Sequence, residues 1–123
     1  MYEVSVRRHF DAAHALRGYK GKCENMHGHR YEVVASFSRR ELDQIGLAMD
    51  FGVIKAALDA ILDELDHHCL NDLPMFAEMN PSSENLARFI YERLDGRLPG
   101  QGLNEVTVFE SPDAWVRYTP DSV

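Results

Sequence analysis

The sequence predicts an antiparallel α+β sandwich: a four-stranded sheet with two helices on one face, in the order strand, strand, helix, helix, strand, strand. Three observations carry this. Apolar and polar residues alternate over Tyr2–His14 and from His27 onward, the period-two pattern of half-buried strands. Two central segments place apolar residues at helical spacing behind capping signals. The alternation then returns on either side of Ser111-Pro112-Asp113.

The first strand is set by Tyr2, Val4, Val6, Phe10, Ala12 and His14, which share one face. Ala15–Met26 contains Gly18 and Gly21 with Arg17, Lys20 and Lys22 and little periodicity, and reads as a loop beside the sheet. In the second strand His27, His29, Tyr31, Val33, Ala35 and Phe37 lie opposite Gly28, Arg30, Glu32, Ser36 and Ser38. After a polar connection, Asp50 stands where an N-cap belongs. Phe51, Ile54, Leu58, Ile61, Leu62 and Leu65 follow at helical spacing, so the first helix is expected to end near Leu65 and Asp66. Asn80-Pro81-Ser82-Ser83-Glu84 combines a capping residue, an early proline and an early acid, announcing a second helix whose stripe is Leu86, Phe89, Ile90 and Leu94 and which Gly96 is expected to close. Val106, Val108 and Glu110 share one face of the third strand. Ser111-Pro112-Asp113 makes the turn, and Ala114, Val116 and Tyr118 alternate with Trp115 and Arg117 on the fourth.

A chain of 123 residues supports one hydrophobic core, so residues 1–123 are expected to form a single domain. Its 45% hydrophobic and 27% charged residues are those of a soluble globular protein rather than a disordered one. No apolar run approaches a membrane span, and Met1–Arg8 lacks the basic start and apolar core of a secretion signal, so a cytoplasmic protein is expected. Two cysteines, Cys23 and Cys69, are then expected to be free thiols. The net charge of −7 argues against nucleic acid held by phosphate contacts. Its distribution is uneven: residues 1–40 carry eight Lys or Arg against four Asp or Glu, and residues 41–123 carry five against sixteen. The positive end also holds most of the histidines, which suits a small anionic substrate approaching a metal.

The chemistry centres on Cys23-Glu24-Asn25-Met26-His27-Gly28-His29. His27 and His29 are two apart on a strand, so both imidazoles leave the same face. His14, at the end of the first strand, can add a third nitrogen, the set that holds zinc while leaving one position open. Cys23 is either a fourth ligand of a closed structural site or a nucleophile or base beside an open one. Asp66-His67 follows a helix; the carboxylate can orient the imidazole, or the histidine can simply answer the helix dipole. Glu110 is the odd member of an apolar face, either an exposed edge charge or a buried acceptor for two parallel N–H donors of a flat heterocycle. Glu84 is explained as an early-helix acid. His9 falls on the opposite phase from His14, and nothing local distinguishes His68.

Together these residues resemble the 6-pyruvoyltetrahydropterin and 6-carboxytetrahydropterin synthase family over nearly the whole chain. The matching pieces are Phe10-Asp11-Ala12-Ala13-His14, Cys23 through His29, Met49-Asp50-Phe51, Leu65 through Asn71, Asn80 through Asn85, and Glu110. The resemblance implies a tunnelling fold (T-fold), whose subunits close into barrels as trimers and stack into hexamers. It implies zinc held by His14, His27 and His29, Cys23 as catalytic thiol, Asp66 and His67 as the relay that tunes it, and Glu110 as the carboxylate that anchors the pterin ring. Sites in this family lie at subunit interfaces, so Asp66 and His67 could serve a neighbouring chain's Cys23.

Three residues between Cys23 and His27 resemble the bacterial carboxytetrahydropterin branch, which feeds queuosine and other deazapurines. A folate branch instead carries a glutamate two residues before the His-Gly-His, at an offset that Glu24 also satisfies. The resemblance therefore implies a zinc lyase converting 7,8-dihydroneopterin triphosphate to 6-carboxy-5,6,7,8-tetrahydropterin, acetaldehyde and triphosphate. Alternatives are a Glu24-dependent cleavage to 6-hydroxymethyldihydropterin, pyruvoyltetrahydropterin synthase activity, or a non-catalytic zinc or pterin-binding protein. A thiol is mostly protonated at neutral pH and needs a nearby cation or imidazole to act as a base, the role expected of Asp66 and His67.

Overall fold

The structure, a computed structural model, describes residues 1–18 and 25–121. Its elements run β1 (Tyr2–His14), β2 (His27–Arg39), α1 (Phe51–Leu62), β3 (His68–Cys69), α2 (Ser83–Arg97), β4 (Leu103–Ser111) and β5 (Ala114–Tyr118), with single 3-10 turns at Leu70–Asp72 and Pro74–Phe76. The sheet order is β3-β1-β2-β4-β5. The expected α+β architecture with two helices is present, and the four anticipated strands pair antiparallel.

A fifth strand joins them. His68 and Cys69 run parallel to β1 opposite Ala12 and Ala13. Two residues are too few to show a period, so no local pattern announces this strand; it exists because the chain leaving α1 is tied to Asp11, as described below.

Alternation fixes which face is buried. Phe10, Ala12 and His14 of β1, Tyr31, Val33, Ala35 and Phe37 of β2, and Val106 and Val108 of β4 are buried, and they pack in one core with Ile54, Leu58 and Ile61 of α1 and Leu86, Ile90 and Leu94 of α2. Full burial of an aliphatic or phenyl side chain of this kind contributes about 1.5–3 kcal/mol. At the β1–β2 pair Phe10 lies opposite Tyr31, and their rings stack with centroids 4.9 Å apart. The next pairs along this face are Ala12 with His29 and His14 with His27. The core face thus runs directly into the histidines.

Three boundaries differ from the sequence-based expectation. Helix α1 stops at Leu62, because the Glu64 and Leu65 amides bond three residues back, to Ile61 (3.1 Å) and Leu62 (2.9 Å); this tightened turn buries Leu65 while bending the chain toward β1. The cap of α2 is Ser82, whose hydroxyl accepts the Asn85 amide at 3.1 Å, rather than Asn80. Gly96 lies inside α2, and the positive φ angles fall beyond it at Gly100 (70°) and Gly102 (88°). Gly102 is required there: a Cβ would overlap the Ser38 carbonyl oxygen, where the Ser38 amide donates to the Gly102 carbonyl at 2.9 Å.

Two sheet edges stay largely open among the described residues. β5 pairs with β4 alone, and the outer edge of β1 is covered by β3 only at Ala12 and Ala13. No helix of the described residues is long and apolar enough to cross a membrane.

Candidate metal centre

Register places three histidines on one patch. β1 and β2 are antiparallel with His14 opposite His27 and Ala12 opposite His29, so the three imidazoles leave the same face of adjacent strands. Their ring centroids are 4.6 to 5.3 Å apart. β4 adds a carboxylate. The β4–β5 register shifts between Phe109 and Ser111, which leaves Glu110 at a bulge, a device that re-aims a side chain. Glu110 Oε1 lies 2.9 Å from His29 Nε2, 3.4 Å from His14 Nε2 and 3.9 Å from His27 Nε2. The four donor atoms all fall within 4.8 Å of one another. Of the two readings of Glu110 open in the sequence, an exposed edge charge is therefore not what the fold builds.

Two of the imidazoles have a determined tautomer. His14 Nδ1 lies 2.7 Å from the Pro81 carbonyl oxygen and His27 Nδ1 lies 2.7 Å from the Asn25 carbonyl oxygen. A carbonyl only accepts, so in both rings Nδ1 carries the proton and donates it. Each neutral ring then turns a lone pair on Nε2 inward, and these two nitrogens are 3.0 Å apart. Facing lone pairs at that distance repel unless positive charge sits between them. The third nitrogen tells the same story: His29 Nε2 is buried and has no hydrogen bond of acceptable geometry despite the nearby carboxylate. Burial, reinforced by His27 and His14 and opposed by Glu110, holds the His29 pKa below its ordinary value, favouring the neutral form that binds a metal. The donor set fits an imidazole-binding divalent cation such as zinc.

Asp66 and His67 do touch. His67 Nδ1 lies 3.0 Å from Asp66 Oδ2. The other Asp66 oxygen accepts the Asp11 amide at 2.9 Å, while the His67 amide donates to the Asp11 carbonyl at 2.7 Å. This clamp holds His67 in a left-handed backbone conformation, φ 58°, with its ring 79% exposed. The Asp11 amide, then His67, hold the Asp66 carboxyl below its usual pKa. His29 and His67 line one open depression together with Asp11, Gly28, His68 and Cys69.

Cys23, Glu24, Lys20 and Lys22 lie outside the described residues. Arg17 is described, and its guanidinium is occupied: it donates to the carbonyls of Phe76 (3.0 Å), Asn71 (3.3 Å) and Met79 (3.4 Å). Two side-chain amides clamp the same segment. Asn71 exchanges a pair of 2.9 Å bonds with the Ala15 backbone, and Asn80 does so with Arg17 at 2.8 and 2.9 Å.

Sequence reasoning missed three contributors. The Pro81 carbonyl that orients His14 is 67 residues away, and no residue pattern marks it. Ser83 has a buried hydroxyl with no partner and lines a pocket of about 240 Å³ with His14, Ser82, Glu84, Glu110 and Trp115. Tyr31 is fully buried with its hydroxyl also unpartnered, its ring edge-on to His14 and His29, and burial raises its pKa. A tyrosine in an otherwise apolar strand face was the available signal.

The comparisons converge on one family. Residues 3–121 match the model described as 6-pyruvoyl tetrahydropterin synthase. The chain is 36% identical over 115 residues to the 6-carboxy-5,6,7,8-tetrahydropterin synthase of Synechocystis sp., covering 89% of this chain and 86% of that relative. It is 29% identical to the protein of the same name from Haemophilus influenzae, over 96% of this chain and 99% of that one. Among solved structures it resembles the Caenorhabditis elegans 6-pyruvoyl tetrahydropterin synthase with a TM-score of 0.85 at 30% identity, over 98% of both chains.

Proposed function

This chain belongs to the 6-pyruvoyl tetrahydropterin synthase family, and from that premise we propose that it is a zinc-dependent 6-carboxy-5,6,7,8-tetrahydropterin synthase. Its substrate is 7,8-dihydroneopterin triphosphate, and acetaldehyde and triphosphate leave. The observation that carries the reading is the pair of inward lone pairs on His14 and His27, 3.0 Å apart, with His29 Nε2 and Glu110 Oε1 beside them. The names of the Synechocystis and Haemophilus relatives favour the carboxy product over the pyruvoyl one.

His14, His27 and His29 hold the metal, oriented through Nδ1 by the carbonyls of Pro81 and, for His27, Asn25. When bound, zinc supplies Lewis acidity toward the substrate's side-chain oxygens. Cys23 takes the proton from the side-chain carbon. His67, with its ring fixed by Asp66, relays that proton and keeps the thiol reactive, in the same chain or a neighbouring one. Glu110 accepts two parallel N–H bonds from the pterin and fixes the reacting carbon against the thiol. The open edges of β1 and β5 support closure of these subunits into trimers and hexamers, and a cytoplasmic role in queuosine or related deazapurine synthesis follows from the product.

Glu24 stands two residues before His27-Gly28-His29 minus one, at the folate-branch offset noted above, and supports a second reading in which it is the base and 6-hydroxymethyldihydropterin the product. Zinc-loaded protein given 7,8-dihydroneopterin triphosphate, with the pterin identified by mass, tests both. Carboxytetrahydropterin that disappears with Cys23→Ala and persists with Glu24→Ala is expected. Hydroxymethyldihydropterin with the opposite dependence would transfer the assignment to the folate route, and unchanged substrate would leave a binding protein.

A further inference from the structure

A ring-anchoring role does not account for where the Glu110 carboxylate rests. Oε1 sits among the three Nε2 atoms, 2.9, 3.4 and 3.9 Å from them. In a tetrahedral zinc site with bonds of about 2.0–2.2 Å, neighbouring donors are separated by about 3.3–3.5 Å. The observed separations, including 3.0 Å between His14 and His27, scatter about that edge length. Three histidines define one triangular face, and Oε1 occupies the remaining vertex.

An ordinary ion pair between Glu110 and His29 is the competing explanation, and two features oppose it. The 2.9 Å approach lacks hydrogen-bond geometry, since buried His29 Nε2 is left without a partner. A proton on His29 would also leave the facing lone pairs of His14 and His27 unrelieved. One cation within reach of all four atoms satisfies both.

Resting on the reading that the histidines hold a metal, we infer that Glu110 is its fourth ligand in the substrate-free protein, and that the arriving pterin draws the carboxylate away and thereby opens the coordination position. The bulge at Glu110 suits this exchange, because its carboxylate is only partly buried and lines the pocket beside Ser83 and Trp115. The site is closed at rest and becomes open when the ring claims the same two oxygens. Adventitious ligands are excluded until then.

Zinc affinity measured by chelator competition without substrate, on wild type, Glu110→Gln, Glu110→Asp and His29→Ala, tests the inference. Loss of even an outer-shell partner costs 10–100-fold in affinity, so Glu110→Gln is expected to weaken zinc by at least about tenfold. Glu110→Asp keeps the charge and withdraws the oxygen by one methylene, and is expected to weaken it too. A zinc-loaded, substrate-free crystal structure should place a Glu110 oxygen about 2.0–2.2 Å from the ion. Wild-type affinity in Glu110→Gln, or water as fourth ligand with the carboxylate out of bonding range, overturns the inference while leaving the three-histidine site standing if His29→Ala loses zinc. Undiminished affinity in His29→Ala overturns the metal-site reading and this inference with it. Metal-free unfolding midpoints of all four proteins separate ligand loss from misfolding.

Discussion

Asp66 and Asp11 are joined through the main chain: Asp66 Oδ1 accepts the Asp11 amide at 2.9 Å, and the neighbouring His67 amide returns a bond to the Asp11 carbonyl at 2.7 Å. One peptide of β1 thus sets the position of the carboxylate and, through it, the imidazole 3.0 Å away. The pair sits where it does because the sheet holds it, although its members are neighbours in sequence.

This attachment has a pH signature. Asp66 is held below its model value of 3.8 chiefly by the Asp11 amide, so its contribution is fully present above pH 3.8 and is lost as pH falls through the lowered value. Asp66→Asn keeps an acceptor for the amide but does not titrate. The stability difference between wild type and Asp66→Asn, read from urea midpoints, is expected to be constant from pH 5 to 7 and to shift against wild type below about pH 3.8. A difference independent of pH down to 2.5 would show that Asp66 makes no such bond.

His67 separates backbone from side-chain roles. Its φ of 58° suits asparagine as well as histidine. His67→Asn is expected to fold with stability within about 0.5 kcal/mol of wild type, as exposed substitutions do, while turnover falls by about 10²–10⁴ as for loss of a general acid–base group. Urea titration and steady-state kinetics on the same preparation check both halves.

Tyr31 carries a buried hydroxyl without a partner, while its ring stacks on Phe10. Removing an unsatisfied polar group while keeping the ring should stabilise, so Tyr31→Phe is expected to raise metal-free stability by about 1 kcal/mol. A loss of stability instead would mean that the hydroxyl is hydrogen-bonded in solution.

Metal removal should be felt by the fold as well as by the chemistry. Zinc at a hundred times its dissociation constant stabilises by about 2.7 kcal/mol if it binds only the folded chain. Chelation is expected to lower the wild-type thermal midpoint by several degrees and to leave His14→Ala unchanged, though His14→Ala starts lower because a buried ring, 1% exposed, and its bond to the Pro81 carbonyl are gone. Equal chelator sensitivity in the two proteins would remove His14 from the ligand set.

The strands, both helices and the shared face of His14, His27 and His29 were legible in the sequence, because side-chain period is a local property of the backbone: alternation over Tyr2–His14 and His27–Phe37 puts these imidazoles on the same side as Phe10 and Tyr31 whatever else the chain does. The sequence by itself also determined that Glu110 shares a face with Val106 and Val108. Only the tertiary structure decided that this face brings Glu110 against the histidines, that Asp66 grips His67 and Asp11 together, that β3 exists, and that Arg17 braces three carbonyls. Those outcomes depend on hydrogen bonds and register between segments tens of residues apart, 55 from Asp11 to Asp66 and 67 from His14 to Pro81. No periodicity encodes such a distance; it is settled when the buried face of one strand has to match that of its neighbour.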